Sequence, residues 1–233
     1  MSVPFSDRLI VAIDTTDPVR AAAWARAVAP HAGVLKIGLE YFLAHGSAGL
    51  AVVAERPIFL DVKLHDIPNT VAGAMRAILP IAPRLVTIHA GGGPAMVAAA
   101  REAAETAGAG RPLILAVTVL TSLNDAELAI MGLHDGAAAQ VLRLARMAVS
   151  AGADGLVCSP LEVALLRREL GPDVKLVVPG IRPAGAAVGD QARTMTPEQA
   201  VAAGADWIVV GRPITAAADP AAAAAAIAAD ISR

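Results

Sequence analysis

The chain has 233 residues, a formal net charge of −2 and a hydrophobic content of 56%. This length and composition can bury a large core without disulfides, and the small net charge gives no general attraction to nucleic acid or to anionic membranes. Cys158 is the only cysteine, which excludes an internal disulfide and makes the reducing cytoplasm the expected compartment. We expect no secretory signal at the N-terminus and no membrane span, since Asp219, Pro220 and Asp230 interrupt the Ala-rich C-terminal segment.

Short β-branched runs alternate with longer Ala- and Leu-rich segments along the chain. The short runs predict buried strands and the longer segments predict helices. The predicted strands are residues 9–13, 34–37, 58–63, 85–89, 113–120, 155–158, 175–178 and 207–210. The predicted helices are residues 18–29, 41–54, 69–79, 94–106, 125–131, 137–151, 161–170, 197–203 and 213–231.

Regular alternation of strands and helices indicates parallel strands joined by right-handed crossovers, with both faces of the sheet covered. A closed (β/α)₈ barrel and an open doubly wound sheet both meet these terms. The barrel is favoured because eight units fit this length and no strong domain linker is visible. The first turn, residues 14–17, reads Asp-Thr-Thr-Asp and not the glycine-rich dinucleotide motif. We therefore predict one α/β domain, a (β/α)₈ TIM barrel over residues 1–233.

The third predicted strand ends in an unusual group of charges, Asp61-Val62-Lys63, followed by Asp66 at the turn into the next helix. Side chains alternate faces along a strand, so Asp61 and Lys63 should point the same way and Val62 the other way. Asp66 can bring a second carboxylate near the same ammonium. In isolation, such a triplet is more typical of a structural salt bridge at the rim of a sheet.

The barrel prediction gives these charges a context, because barrel enzymes place their chemistry at the C-terminal ends of the strands. Other polar residues of this chain follow strands in the same way. They are Asp14 after strand one, Lys36 near the end of strand two, Thr121 and Ser122 after strand five, Arg182 after strand seven, and Gly211 and Arg212 after strand eight. Each residue alone is more typical of a cap or a turn, but their joint placement predicts a functional site.

The last two strand ends indicate a phosphate ligand. Residues 179–182 read Pro-Gly-Ile-Arg, residues 190–193 read Asp-Gln-Ala-Arg, and residues 210–213 read Val-Gly-Arg-Pro. These segments offer guanidinium groups, an amide and backbone N–H groups beside a helix start, and barrels often bind phosphate after strands seven and eight.

Together these motifs resemble the orotidine 5′-phosphate decarboxylase family. Residues 61–67 are similar to its D-x-K-x-x-D-I signature. The similarity continues in order and spacing through Asp14, Lys36-Ile37-Gly38, Leu120-Thr121-Ser122, Pro179-Gly180-Ile181-Arg182, Asp190-Gln191-Ala192-Arg193 and Val210-Gly211-Arg212. A related sugar-phosphate branch, including a ketogulonate-phosphate decarboxylase and a hexulose-phosphate synthase, shares the signature. Those relatives use Mg²⁺ and carry an acidic ligand where this chain has Lys36, and a lysine repels a metal ion.

The resemblance implies a homodimer that converts orotidine 5′-monophosphate to UMP and CO₂, the last step of de novo pyrimidine nucleotide synthesis, without cofactor or metal. The implied catalytic residues are Lys63, Asp61, Asp66 and Lys36. The implied substrate-binding residues are Asp14, Lys36, Asp61, Ile67, Thr70, Thr121, Ser122, Pro179, Arg182, Gln191, Gly211 and Arg212.

The resemblance also implies a role for each group. Asp61 and Lys63 would act from one subunit, while Asp66, Ile67 and Thr70 would reach into the partner's site. Asp14 and Lys36 would hold the ribose hydroxyls, and Thr121 and Ser122 would lie over the pyrimidine. Gln191, Gly211 and Arg212 would take the phosphate, and Arg182 would begin a mobile loop that closes over it.

The residue types suit this reaction on chemical grounds. Loss of CO₂ from a ring carbon without an adjacent electron sink leaves a localised carbanion, which Lys63 can stabilise and then protonate. Neighbouring carboxylates favour the charged form of that lysine. Two alternatives remain open, a metal-dependent sugar-phosphate enzyme on the same barrel and a phosphate-binding barrel without catalytic activity.

Overall fold

The computed structural model describes residues 3, 7–183 and 194–232. Eight parallel strands close into a barrel in chain order, with β8 pairing back onto β1. The strands are β1 (Leu9–Ile13), β2 (Val34–Gly38), β3 (Ile58–Leu64), β4 (Leu85–His89), β5 (Leu113–Val117), β6 (Gly155–Val157), β7 (Lys175–Val178) and β8 (Trp207–Val210). The predicted (β/α)₈ barrel is confirmed.

Helices connect the strands around the outside of the barrel. The α-helices are α1 (Pro18–Val28), α2 (Leu39–His45), α3 (Pro68–Ile78), α4 (Pro94–Glu105), α5 (Asp125–Ile130), α6 (Gly136–Ser150), α7 (Val163–Leu170), α8 (Pro197–Ala202), α9 (Arg212–Thr215) and α10 (Pro220–Asp230). Short 3₁₀ turns lie at Ala48–Val53, Leu79–Ile81, Ala90–Gly92, Gly108–Gly110 and Pro160–Glu162. No helix in these described ranges is both long enough and apolar enough to cross a membrane.

Several predicted helices were too long. The predicted helix 41–54 is divided, because α2 ends where Gly46 takes φ +59° and the chain continues as a 3₁₀ turn. The predicted helix 213–231 is also divided, and α10 begins anew after Asp219, whose carboxylate accepts a hydrogen bond from the backbone N–H of Ala222. The predicted helix 161–170 begins with a separate 3₁₀ turn before α7.

Strand five was also predicted too long, since β5 ends at Val117 instead of residue 120. The prediction extended the strand because Val119 and Leu120 are apolar, but these residues do not belong to the sheet. Their side chains line a cavity at the end of the barrel. An apolar residue that faces a binding cavity therefore resembles a core strand residue when only the sequence is read.

The strands are buried on both faces, as their continuous apolar sequences predicted. Alternate residues such as Ile10 and Phe59 pack inside the barrel, while their neighbours Leu9, Val11 and Leu60 pack against the surrounding helices. This alternation decides which side chains can meet at the barrel mouth, since only inward-facing residues continue the inner layer.

Helix starts are specified by local sequence. The Asp17 carboxylate accepts hydrogen bonds from the backbone N–H groups of Val19 and Arg20, at 2.9 and 3.2 Å, and Pro18 occupies the first turn of α1. Proline is tolerated there because its missing N–H would have had no partner within the helix. Helices α3, α4, α8 and α10 also carry proline in the first turn.

The end of the barrel opposite the strand C-termini is held by ion pairs. Asp154, immediately before β6, accepts two hydrogen bonds of 2.8 Å from Arg111 and one of 3.0 Å from Arg101. The same carboxylate accepts the backbone N–H of Ile114 on β5 at 2.8 Å. The hydrogen bonds that Arg111 donates to Asp154 raise the pKa of the Arg111 guanidinium further above its ordinary value. A similar ion pair precedes β8, where the Asp206 carboxylate lies 2.7 Å from the Arg167 guanidinium.

Because these carboxylates join neighbouring strands, we expect Asp154→Asn to lower the free energy of unfolding by about 2 kcal/mol, the scale of a lost charge-assisted hydrogen bond. Chemical denaturation measures this change. Asp135→Asn is the matched control, since Asp135 is 71% exposed and lies 3.5 Å from Arg143, where an ion pair contributes little. Equal losses of unfolding free energy in the two variants would contradict the proposed role of Asp154 in joining the strands.

Candidate active site

The C-terminal half of β3 places two charged side chains inside the barrel. Asp61 and Lys63 both line the cavity at the strand ends, whereas Val62 and Leu64 pack outward against the helices. The predicted common direction of Asp61 and Lys63 is therefore confirmed. Regular pairing does not continue through the motif, because the register between β3 and β4 shifts between Leu60 and Leu64.

Four side chains on or just after three neighbouring strands form a row of alternating charges, which we call the charge array (Asp14, Lys36, Asp61 and Lys63). The Lys63 ammonium lies 2.8 Å from Asp61 Oδ1. The Lys36 ammonium lies 3.5 Å from Asp61 Oδ2 and 3.3 Å from Asp14 Oδ1. Because β1, β2 and β3 are adjacent in the barrel, residues distant in sequence meet at one rim.

Asp61 is the centre of this array, with a side chain that is 13% exposed. Burial alone would raise the pKa of its carboxyl group, but the positive charges of Lys36 and Lys63 and hydrogen bonds from Lys63 and Thr87 lower the pKa below its ordinary value. The carboxylate is therefore ionised at neutral pH. Its negative charge remains available to hold Lys63 in place and to repel an anionic group.

The cavity beside the array has a volume of about 210 Å³. Its charged side is formed by Lys36, Asp61 and Lys63. The rest of its lining is largely apolar: Phe59, Val117, Val119, Leu120, Val157, Pro179 and Val209. Electrostatic interactions are stronger beside such a wall than in open water, so the cavity suits a reaction in which charge develops near a fixed ammonium.

Two glycines lie close to Asp14, and at Gly38 a side chain would be tightly placed. A Cβ atom on Gly38 would lie 3.3 Å from Asp14 Oδ1 and 3.4 Å from the Lys36 ammonium. A Cβ atom on Gly211 would lie 3.8 Å from Asp14 Oδ2. The turn after β8 therefore adjoins the Asp14 end of the charge array, and the predicted phosphate segment and the predicted catalytic segment share one rim.

Asp66 and Ile67 lie on the exposed turn into α3, and Thr70 lies in the exposed first turn of that helix. Asp66 accepts a hydrogen bond of 2.7 Å from the backbone N–H of Ile67, and Lys63 is not among its ion-pair partners in the described chain. Ile67 is 66% exposed. This segment thus exposes a carboxylate, an apolar side chain and a hydroxyl to solvent.

The remaining predicted residues differ in their relation to the cavity. Thr121 and Pro179 line it, whereas Ser122 has an exposed side chain and is outside the lining. Arg182 follows β7 and donates a hydrogen bond of 2.9 Å to the carbonyl of Ile181. Arg212 is the first residue of α9 and is exposed. Gln191 lies outside the described residues.

Sequence reasoning missed Thr87 and most of the apolar wall. Thr87 is fully buried on β4, donates a hydrogen bond of 2.9 Å to Asp61 Oδ1 and accepts one of 2.9 Å from the backbone N–H of Lys63. The available signal was a hydroxyl residue inside the apolar strand Leu85–His89. The wall residues gave no signal, because buried valines are common in every strand.

Comparison with known proteins decides the family. Residues 7–227 match the model of the family described as "Orotidine 5'-phosphate decarboxylase / HUMPS family". The chain belongs to this family. The orotidine 5′-phosphate decarboxylase of Thermobifida fusca is 55% identical over 228 residues, covering 97% of this chain and 96% of its own. That of Anaeromyxobacter sp. is 56% identical over 229 residues, covering 97% of this chain and 99% of its own.

A solved structure agrees with these relatives. The crystal structure of orotidine 5′-phosphate decarboxylase from Lactobacillus acidophilus matches with a TM-score of 0.85 and 37% identity, covering 97% of this chain and 100% of that one. The similarity to the decarboxylase family thus extends through the whole barrel, and the family resemblance read from the motifs is confirmed.

Proposed function

We propose that this chain decarboxylates orotidine 5′-monophosphate to UMP and CO₂, the last step of de novo pyrimidine nucleotide synthesis. The observation that carries the proposal is the Lys63 ammonium, held 2.8 Å from Asp61 at the side of an apolar cavity. Curated relatives more than half identical to the chain, and named for this reaction, support the same conclusion.

The proposed chemistry needs a cation at the reacting carbon. When the bond to the carboxylate breaks, the electron pair stays on C6 of the pyrimidine ring, with no adjacent electron sink. Lys63 stabilises this developing charge because its ammonium is positioned before the bond breaks. The lysine then gives a proton to C6, which completes UMP and leaves a neutral amine to be reprotonated from water.

Asp61 acts in two ways in this scheme. It fixes the Lys63 ammonium by a direct ion pair through one carboxylate oxygen, while its other oxygen pairs with the Lys36 ammonium. Its charge also opposes the substrate carboxylate, by about 4 kcal/mol for two charges ~4 Å apart at an effective dielectric constant of 20. This repulsion disappears as neutral CO₂ leaves, so its removal lowers the barrier relative to the bound substrate.

Contacts far from C6 offset that repulsion. We assign the phosphate to Arg182, Gln191, Gly211 and Arg212, and the ribose hydroxyls to Asp14 and Lys36. The position of Gly211 beside Asp14 supports this division, because the two groups of contacts then adjoin on one rim. Binding energy from the phosphate and ribose can hold the substrate while its carboxylate is repelled.

The pyrimidine ring is assigned to the remaining cavity residues. Thr121 and Pro179 border the cavity, and Ser122 follows on the same loop, where its exposed hydroxyl can reach a bound base. The apolar wall favours the departure of CO₂, because neutral CO₂ is more stable beside valine and leucine side chains than the charged carboxylate from which it forms.

The lysine at position 36 supports a reaction without metal. Its ammonium lies within 3.5 Å of both Asp14 and Asp61, the two carboxylates that a divalent ion would need at this rim. A cation there would meet an existing positive charge at close range. The metal-dependent sugar-phosphate branch of the family is therefore the less suitable assignment.

The active form is proposed to be a cytoplasmic homodimer in which Asp66, Ile67 and Thr70 complete the partner's site. Support comes from the exposure of all three residues within one short segment at the start of α3. An exposed isoleucine is covered in such an interface, and Asp66 adds a second carboxylate near the partner's Lys63.

A substrate panel tests the proposed function. Purified protein is incubated with orotidine 5′-monophosphate, with a 3-keto-gulonate 6-phosphate and with a hexulose 6-phosphate, and the products are identified by chromatography. We expect UMP and CO₂ from the first compound and no turnover of the two sugar phosphates. Turnover of a sugar phosphate alone would overturn the proposal, as would binding of the nucleotide without product.

A further inference from the structure

The junction of β3 with β4 has an irregularity at the catalytic motif. Leu60 pairs with Val86 and Leu64 pairs with Ile88, so three residues of β3, namely 61–63, lie opposite the single residue Thr87 of β4. A regular ladder would place one residue there. The additional residues are accommodated partly by Lys63, whose φ of +49° lies in the left-handed region that side chains other than glycine rarely adopt.

Thr87 forms hydrogen bonds with both end residues of this irregular segment, Asp61 and Lys63. Its hydroxyl accepts the backbone N–H of Lys63 at 2.9 Å and donates to Asp61 Oδ1 at 2.9 Å. One hydroxyl can fill both roles, since it has a proton to give and lone pairs to accept. The side chain is fully buried and β-branched, so its rotamer is restricted. The backbone of Lys63 and the carboxylate of Asp61 are thereby held relative to one another.

We propose that Thr87 is a positioning residue for decarboxylation, acting through Asp61 and Lys63 without touching the substrate. Thr87 lies behind the cavity and is not part of its lining. Its hydroxyl holds the strained Lys63 backbone and fixes the orientation of Asp61 Oδ1, the oxygen that pairs with the Lys63 ammonium. The ammonium is thereby held at the required distance from the reacting carbon. This inference rests on the proposed function, whereas a packing role alone would need only the shape of the side chain.

Two substitutions distinguish the contribution of the Thr87 hydroxyl from that of the side chain's branched shape. Thr87→Val keeps the branched shape and removes both hydrogen bonds, while Thr87→Ser keeps the hydroxyl and removes one methyl group. We expect Thr87→Val to lower kcat by about 10–100-fold with KM within about threefold, because small misplacement of reacting groups has effects of this size. We expect Thr87→Ser to keep kcat within about threefold of wild type and to lower Tm, because it leaves a small cavity.

Thr118→Val is the matched control. Thr118 is also a buried threonine, 6% exposed and just beyond β5, but its hydroxyl has no hydrogen-bond partner among the described residues. Its kcat should equal that of the wild type. If Thr87→Val does not fold, Thr87→Ala replaces it as the variant without hydroxyl, with Thr87→Ser as its reference.

A second readout does not depend on packing. The Thr87 hydrogen bond helps to lower the pKa of Asp61, so in Thr87→Val that pKa rises and the acid limb of the kcat/KM profile moves to higher pH. The acid limb of Thr87→Ser should stay in place. Near wild-type kcat in the variant without hydroxyl, or an equal loss of kcat in both variants, would overturn the proposal.

A third readout separates this proposal from the proposed function. In substrate-free protein, exchange of the Lys63 backbone N–H with D₂O should be slow in wild type and Thr87→Ser and faster in Thr87→Val. Absence of wild-type turnover would defeat the decarboxylase assignment whatever the exchange rates. Equal exchange in all three proteins, with an active wild type, would defeat the positioning role alone.

Discussion

Lys63→Ala should lose at least about a thousandfold in kcat/KM for orotidine 5′-monophosphate, which corresponds to about 4 kcal/mol of transition-state stabilisation. The reason is that the substitution removes both the cation beside C6 and the proton donor. The fold should persist, because Asp61 keeps its contacts with Lys36 and Thr87. Steady-state kinetics measures the loss, and circular dichroism with thermal unfolding checks the fold.

Lys175→Ala is the matched control for this variant. Lys175 is also a lysine on a barrel strand beside an aspartate, with its ammonium 3.5 Å from Asp206, but it begins β7 at the opposite end of the barrel. We expect its kcat/KM to match that of the wild type. A Lys63→Ala protein with near-normal decarboxylation would remove the lysine from the mechanism.

Asp66→Ala should also be nearly inactive alone, with a loss of at least about a hundredfold, and it should regain activity when paired with Lys63→Ala. In a mixed dimer of these two chains, one site has both defects and the other has Lys63 from one chain and Asp66 from its partner. Random pairing of equal amounts makes half of the dimers mixed, so about a quarter of the wild-type sites should be restored. That fraction applies to the unseparated mixture; co-expression with two different affinity tags isolates the mixed dimer, in which about half of the sites should be active.

Co-expression of Lys63→Ala with Asp61→Asn is the control for this experiment. Both residues are proposed to act within one subunit, so every site of that mixed dimer carries a defect and no activity should return. Failure of Asp66→Ala to complement Lys63→Ala, in a dimer shown to be mixed, would place Asp66 in the site of its own chain and contradict the shared arrangement.

The barrel was predictable because its signal is repeated in every unit. Apolar strands, proline at helix starts and regular alternation specify the same architecture several times over. The boundaries were less predictable where one residue changes the backbone locally. Gly46 ends α2 by taking a positive φ, and Asp219 with Pro220 separates α9 from α10, although both sequences continue the helical composition.

The charged part of the site was predictable because charges are rare in buried strands. Asp61, Lys63 and Lys36 are conspicuous in otherwise apolar segments, and the barrel topology brings their strands together. Thr87 was not predictable in the same way. Its role depends on the register shift between β3 and β4, a property of two strands together that neither strand's sequence displays.

The most direct measurement of the central claim is decarboxylation by chelator-treated protein. Purified wild-type chain is treated with EDTA, desalted and mixed with orotidine 5′-monophosphate, and loss of the substrate's absorbance is followed with and without added Mg²⁺. We expect turnover that is unchanged by the chelator and by the metal, since Lys63 supplies the cation and Lys36 occupies the space between Asp14 and Asp61. Turnover that disappears with EDTA and returns with Mg²⁺ would contradict the account.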